Sequence, residues 1–139
     1  MPTVDPTVKN SALAQAGADD GSVILYTWVL TTAAPTGTAI ALPEWADRTV
    51  HAFADPSGVG APDIWGGATL TWQGANRDVD ALYDTLANAA GGSGATWTVD
   101  GVKAIIELPL FMRPKLTTVG VSAAVTVTAL IRRANPLRT

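Results

Sequence analysis

The side chains in this chain that could do chemistry are few and poorly spaced for it. There is one histidine, His51, and no cysteine. A histidine acting as general base needs a nucleophile within reach and an acid to orient it. Asp55 and Ser57 are near in sequence, but Asp55-Pro-Ser-Gly58 is ordinary turn chemistry. A histidine metal site needs further imidazole or thiolate ligands, and only carboxylates are on offer. Asp78, Asp80 and Asp84 cluster beside Asn76, an oxygen-rich group of the kind calcium takes. That run lacks the glycine and the closing glutamate of a calcium loop, so it reads as a solvated acidic loop. Glu44 and Glu107 are the only glutamates, and no spacing sets two carboxylates across a cleft as glycoside hydrolysis requires. The glycines at 58–60 and 91–94 lack the strand–loop–helix order and the lysine of a phosphate cradle. No catalytic residue, metal ligand or cofactor is expected, and the chain does not read as an enzyme.

The tryptophans are the more informative group. There are five, many for 139 residues. Trp28 and Trp72 fall inside apolar strand patterns and are expected in a core. Trp45 follows Pro43-Glu44 and Trp65 follows Pro62-Asp63, so both are expected in loops as exposed partner anchors, with Asp63 beside them. Arg113 (before Pro114), Arg132 and Arg133 could meet an acidic partner. They serve equally well as solvated strand ends that discourage edge pairing.

The elements that must carry these residues are strands. Val119, Val121, Ala123, Val125, Val127, Ala129 and Ile131 share one face of a pleat, with Gly120, Ser122, Ala124, Thr126 and Thr128 opposite. This is a long strand with one face in a core. Val23–Leu30 is apolar on both faces and reads as a central strand buried on both sides. Residues 39–42, 49–54, 67–73, 95–99, 104–108 and 110–113 complete the set. Residues 31–38 read as a turn. Asp100-Gly101 reads as a tight turn, and Pro109 and Pro114 point to an edge or a bulged strand. Val79, Leu82, Tyr83 and Leu86 sit at helical spacing with Asp78 placed to cap them, which allows one short helix over 78–90. About eight short strands joined by Gly/Pro turns predict an all-β sandwich or barrel. The domain spans residues 22–139, preceded by an extended N-terminal arm at 1–21 whose prolines and small residues show no periodicity.

Composition narrows the function classes. Net charge is −3 and 15% of residues are charged. A nucleic-acid binder needs cations for phosphate neutralisation, and a membrane surface would ask for the same; neither partner is expected. No apolar run approaches the ~20 residues that span a bilayer. The N-terminus shows no apolar targeting segment, so synthesis in the cytoplasm is expected.

Three stretches carry a family resemblance. Gly67-Ala-Thr-Leu-Thr-Trp-Gln-Gly-Ala-Asn76, Ile105-Ile-Glu-Leu-Pro-Leu-Phe-Met-Arg-Pro114 and Val125-Thr-Val-Thr-Ala-Leu-Ile-Arg-Arg133 together resemble bacteriophage capsid cement, or decoration, proteins of jelly-roll type. The resemblance covers roughly residues 65–133. It implies a jelly-roll-like antiparallel β-sandwich on the capsid exterior that binds the major capsid protein and cements its neighbours. It also implies a strand and turn at 77–92, where periodicity allows a helix. No active site carries over. A homo-oligomer is expected, with dimers the commonest case. Two other readings remain open: a carbohydrate-binding module using the loop tryptophans, and another phage part such as a tail or head–tail connector component.

Overall fold

The computed structural model describes residues 3–9, 23–41, 45–54, 65–89, 92, 94–119 and 124–133. Among them run twelve strands, many only two residues long: β1 (Thr3–Val4), β2 (Thr7–Lys9), β3 (Val23–Leu30), β4 (Thr36–Gly37), β5 (Ile40–Ala41), β6 (Trp45–Phe53), β7 (Thr69–Ala75), β8 (Asp84–Thr85), β9 (Thr96–Trp97), β10 (Gly101–Ala104), β11 (Phe111–Thr118) and β12 (Val125–Arg133). A seven-stranded sheet runs β1-β4-β11-β7-β8, with β5 also on β11 and β9 also on β7. A five-stranded sheet runs β10-β6-β12-β3-β2.

β4 and β5 lie along the same edge of β11, and β8 and β9 along the same edge of β7. Counted as single broken strands, they leave eight principal strands besides β1 and β2. The chain alternates between sheets at most of its connections, which is jelly-roll connectivity. The all-β sandwich read from periodicity is therefore the fold observed.

The core is where the periodicity put it over 125–131, whereas Val119 lies before β12 and is 44% exposed, and residues 120–123 lie outside the described residues. Val125, Val127, Ala129 and Ile131 on β12 are fully buried, as are Val50 and Ala52 on β6 and Leu70 and Trp72 on β7. Trp28 packs edge-on against Trp72, with ring centroids 5.6 Å apart. Its indole N–H donates to Thr38 O at 3.1 Å.

Several local expectations are corrected. β3 is interior to its sheet, but only one of its faces is buried; Val29 is 46% exposed. Tertiary placement decides this, because an apolar strand looks the same whether one or both faces are covered. β11 is no edge strand: β7 lies on one side and β4 and β5 on the other. Pro114 lacks an N–H to donate, and it sits where the neighbouring strand is interrupted between Gly37 and Ile40. The expected bulge is present, as a register shift between Leu116 and Thr118. Asp100-Gly101 does not close a hairpin, since β9 pairs in one sheet and β10 in the other. The Asp100 carboxylate instead accepts Trp65 Nε1–H at 2.6 Å and the Ala54 N–H at 3.0 Å, tying the crossover to both segments.

No α-helix forms over 78–90. The described part holds a single 3₁₀ turn at Asp80–Leu82 and then β8. Asp78 does not cap it; its carboxylate accepts the Tyr83 hydroxyl at 2.6 Å. The strand and turn implied by the family resemblance are what is found. The first residues of the extended arm are paired into the sheets. β1 pairs in parallel with β4 in one sheet, and β2 pairs antiparallel with β3 in the other, so residues 3–9 lace the two sheets at one margin. The rest of the arm, 10–21, lies outside the described residues.

Candidate functional site

Two surfaces stand out, one on each sheet. The first is the outer face of the five-stranded sheet. Successive strand residues alternate between faces, and buried Trp28, Val127 and Ala52 share a register. Their neighbours on each strand therefore point outward. Reading across the sheet, one outward row is Phe53, Thr126 and Val29. The next is Val102, His51, Thr128, Thr27 and Thr7, and a third is Ala104, Thr49, Leu130, Leu25 and Lys9. Among these positions the ionisable residues are Lys9, at the β2 margin, and His51, whose ring stacks at a tilt on Phe53 with centroids 5.0 Å apart. The solvated face of an antiparallel sheet is ordinarily its polar one. Here threonine and β-branched or aromatic carbon fill the three rows, with no carboxylate among them and a lysine only at the margin. Val102 is 58% exposed at its margin.

The second surface lies at one end of the seven-stranded sheet. Chain 76–83 folds over the outer side of β7 and β11, held there by Arg113. The Arg113 guanidinium lies over the Tyr83 ring, 3.9 Å from its centroid. It pairs with Asp80 at 2.7 Å, and its Nε–H donates to Gln73 Oε1 at 3.1 Å. The hydrogen bond and charge of Arg113 hold the Asp80 carboxyl below its ordinary value, with a smaller contribution from Lys115. Burial, then the Asp78 carboxylate, pushes the Tyr83 hydroxyl well above its own.

Beside this cap opens a groove of about 420 Å³. Gly74 and Ala75 form its floor, Leu82, Leu86, Leu108 and Pro109 its walls, and Asn76, Asp84 and Glu107 its rim. The floor requires glycine: a Cβ on Gly74 would run into Pro109 Cγ and come within 2.9 Å of both Leu86 methyls. Leu110 N–H donates to Asn76 Oδ1 at 3.2 Å and pins one wall.

The residues expected to bind a partner fare differently. Trp65 is 5% exposed and bonded to Asp100, so it is a core residue and not an exposed anchor. Burial follows from the acceptor that Asp100 provides, which sequence spacing does not show. Trp45 opens β6 instead of standing in a loop. Asp63 and the loop at 55–63 lie outside the described residues. Arg113 is 7% exposed and already satisfied by Asp80, Gln73 and Tyr83, so its charge is not free for an acidic partner. Arg132 and Arg133 continue β12, pairing in register with Asp47 and Trp45. Neither surface described above was legible as a site in the sequence. The outward threonines gave a hint, since Thr126 and Thr128 share the polar face of β12 without a charge among them. Among the described residues, no group of three His, Asp or Glu side chains is placed to hold a metal ion.

The Arg113–Asp80 pair gives a pH expectation. A carboxyl depressed in the folded state contributes stability above its unfolded pKa, about 3.9, and that stability is lost as pH falls through the folded value. Asp80→Asn is therefore expected to lower the melting temperature slightly across the neutral range and to flatten the acid limb below about pH 4, so that the two curves converge at acid pH. Thermal scans across pH 2.5 to 7, an interval of roughly five units around that pKa, check it; parallel curves for both proteins would refute it.

In fold the chain is similar to the SPBc2 prophage-derived protein YomS. The two structures align with a TM-score of 0.51 over 78% of this chain and 93% of that one, at 12% sequence identity. No protein-family model matches the chain, and no curated protein does.

Proposed function

We propose that the protein is a bacteriophage structural protein that sits on the outside of an assembled capsid and holds neighbouring subunits of the major capsid protein together against the pressure of packaged DNA. The observation that carries this reading is the charge-poor outer face of the five-stranded sheet, whose three rows hold no carboxylate and a lysine only at the β2 margin. Charge depletion with aromatic enrichment marks the centre of protein interfaces. The phage setting is supported by the fold likeness to a prophage-derived protein and by the sequence resemblance to capsid cement proteins.

The dimensions suit a cement. Five strands at ~4.8 Å and five residues at ~3.4 Å give a face of roughly 400 Å². A standard interface takes about 800 Å² from each partner, so this face alone would bind one subunit weakly. Contact with several subunits at once multiplies weak contacts into firm retention. Binding the assembled shell, and not its loosened state, stabilises the shell by mass action. A carbohydrate-binding reading drew on exposed loop indoles, and Trp65 does not offer one.

Thr128, in the middle row of the face, is the position to test. Burying an unpaired carboxylate costs several kcal/mol, so Thr128→Glu is expected to lower occupancy on capsids at least ~10-fold, a loss of ~1.4 kcal/mol. Circular dichroism should remain that of the parent. Occupancy equal to the parent's on particles would overturn the reading. A particle gel separates the alternative: a cement is present in hundreds of copies, on the order of the shell subunits it bridges, whereas a connector is present in about a dozen set by its ring symmetry. Deleting residues 2–20 is not a clean test, because it removes β1 and β2 from both sheets.

A further inference from the structure

We propose that the groove between Leu82, Leu86, Leu108 and Pro109 is a second binding site, distinct from the outer sheet face, and that it takes an extended polypeptide segment in which apolar side chains are flanked by Lys or Arg. Three observations converge on that occupant. The walls offer apolar carbon to water within a lining whose exposed surface is otherwise mostly polar: Leu82 and Leu108 are 50% and 52% exposed. The volume, about 420 Å³, lies in the lower part of the range of roughly 300–1,000 Å³ typical of ligand sites. The rim is acidic, with Asp84 and Glu107 lining it and no Lys or Arg among the lining residues. Neither carboxylate makes an ion pair among the described residues; the pair present nearby, Arg113–Asp80, is internal to the cap.

The backbone adds to these three. Ile106 N–H donates to Ala87 O at 3.0 Å, and Leu110 N–H to Asn76. Between them, Glu107 and Leu108 lie outside any strand and donate no backbone hydrogen bond among the described residues. An incoming extended chain can use such groups, with main-chain bonds giving affinity and alternate side chains entering pockets. Its apolar side chains would enter the leucine walls, and its cations would face Asp84 and Glu107. A nucleic-acid or acidic partner is disfavoured by the same rim.

The site needs no capsid for its test, so the outcome is separate from that of the shell reading. The probe is the acetylated, amidated peptide Lys-Leu-Arg-Val-Lys-Leu, titrated into the isotope-labelled full chain and followed by amide chemical shifts. The control is Glu-Leu-Asp-Val-Glu-Leu. The basic peptide is expected to shift the amides of Leu82, Leu86, Glu107 and Leu108 in a saturable way. The acidic control is expected to bind at least ~10-fold more weakly, and a Glu107→Lys/Asp84→Lys double variant should lose about as much affinity for the basic peptide. Both replaced side chains are exposed, so the variant should fold; Leu108→Ala gives a second, charge-neutral variant that should weaken both the peptide and its shifts. Equal binding of the two peptides, shifts mapping elsewhere, or undiminished affinity in the variants would overturn the proposal. Concentration-dependent shifts of the same amides without peptide would assign the groove to a second copy of the chain and overturn it likewise.

Discussion

Trp28→Ala is expected to destabilise the fold by about 3–5 kcal/mol, as truncation of a fully buried indole does. The magnitude is a large share of the ~5–15 kcal/mol that holds a domain of this kind together. In a chain of this length it lowers the melting temperature by roughly 10–15 °C. Trp28 earns that weight by position. It is fully buried, lies edge-on to Trp72, stacks with Tyr26 at 6.0 Å and bonds to Thr38 O. Removing it opens a cavity between the two sheets and orphans a carbonyl. A comparison with phenylalanine isolates the hydrogen bond. Trp72 Nε1 is buried without a hydrogen-bond partner, so Trp72→Phe loses ring area but no bond. Trp28→Phe loses both, and leaving Thr38 O unsatisfied adds about 1–3 kcal/mol. Chemical denaturation of the two phenylalanine variants decides the matter; equal losses would show that the Thr38 bond contributes nothing.

Gly37→Val is expected to cost about 3 kcal/mol through overpacking. A Cβ on Gly37 would lie 2.7 Å from both Pro114 Cγ and Trp28 Cδ1. Both neighbours are rings, and Pro114 is held in the strand between β7 and β4, so neither can rotate away. The strand must move instead, which disturbs its pairing with Lys115 and with β1. Because the substituted residue makes no polar contact of its own, the loss measures crowding alone. Thermal melts of Gly37→Ala and Gly37→Val should show graded losses. A Gly37→Val protein as stable as its parent would mean that β4 is free to shift outward.

These two effects bear on function through rigidity. On the proposed cement reading, the outer sheet face must keep its shape to grip a shell, and that face is the reverse side of the strands that bury Trp28, Val127 and Ala52. Destabilised variants should therefore lose shell occupancy in parallel with stability. Thr128→Glu should lose occupancy without losing stability, and this difference separates a damaged scaffold from a damaged surface.

The fold class was legible because period-2 alternation is a local property. Val125, Val127, Ala129 and Ile131 declare one buried face without reference to anything else in the chain, and the same holds for Leu70 and Trp72 on β7. The short ladders β1, β2, β4 and β8 were not legible. Each is two or three residues long, too short for a period; β2, β4 and β8 exist because a longer strand offers each an edge, and β1 because β4 does. The helical spacing at 79, 82, 83 and 86 failed for a related reason. Tyr83 is drawn onto Arg113 and Leu86 into the core, and those two destinations lie on opposite sides of one sheet.

The amino-acid sequence by itself determined that this chain makes layered β-structure around an indole-rich core with a sparse inventory of reactive groups, because burial pattern and composition are written residue by residue. Only the tertiary structure decided that Trp65 and Arg113 are spoken for, that the outward threonines of four strands align on one charge-poor face, and that Leu82, Leu108 and Gly74 line one groove. Those facts depend on which strand lies beside which, and register between distant segments is set by how the whole core packs.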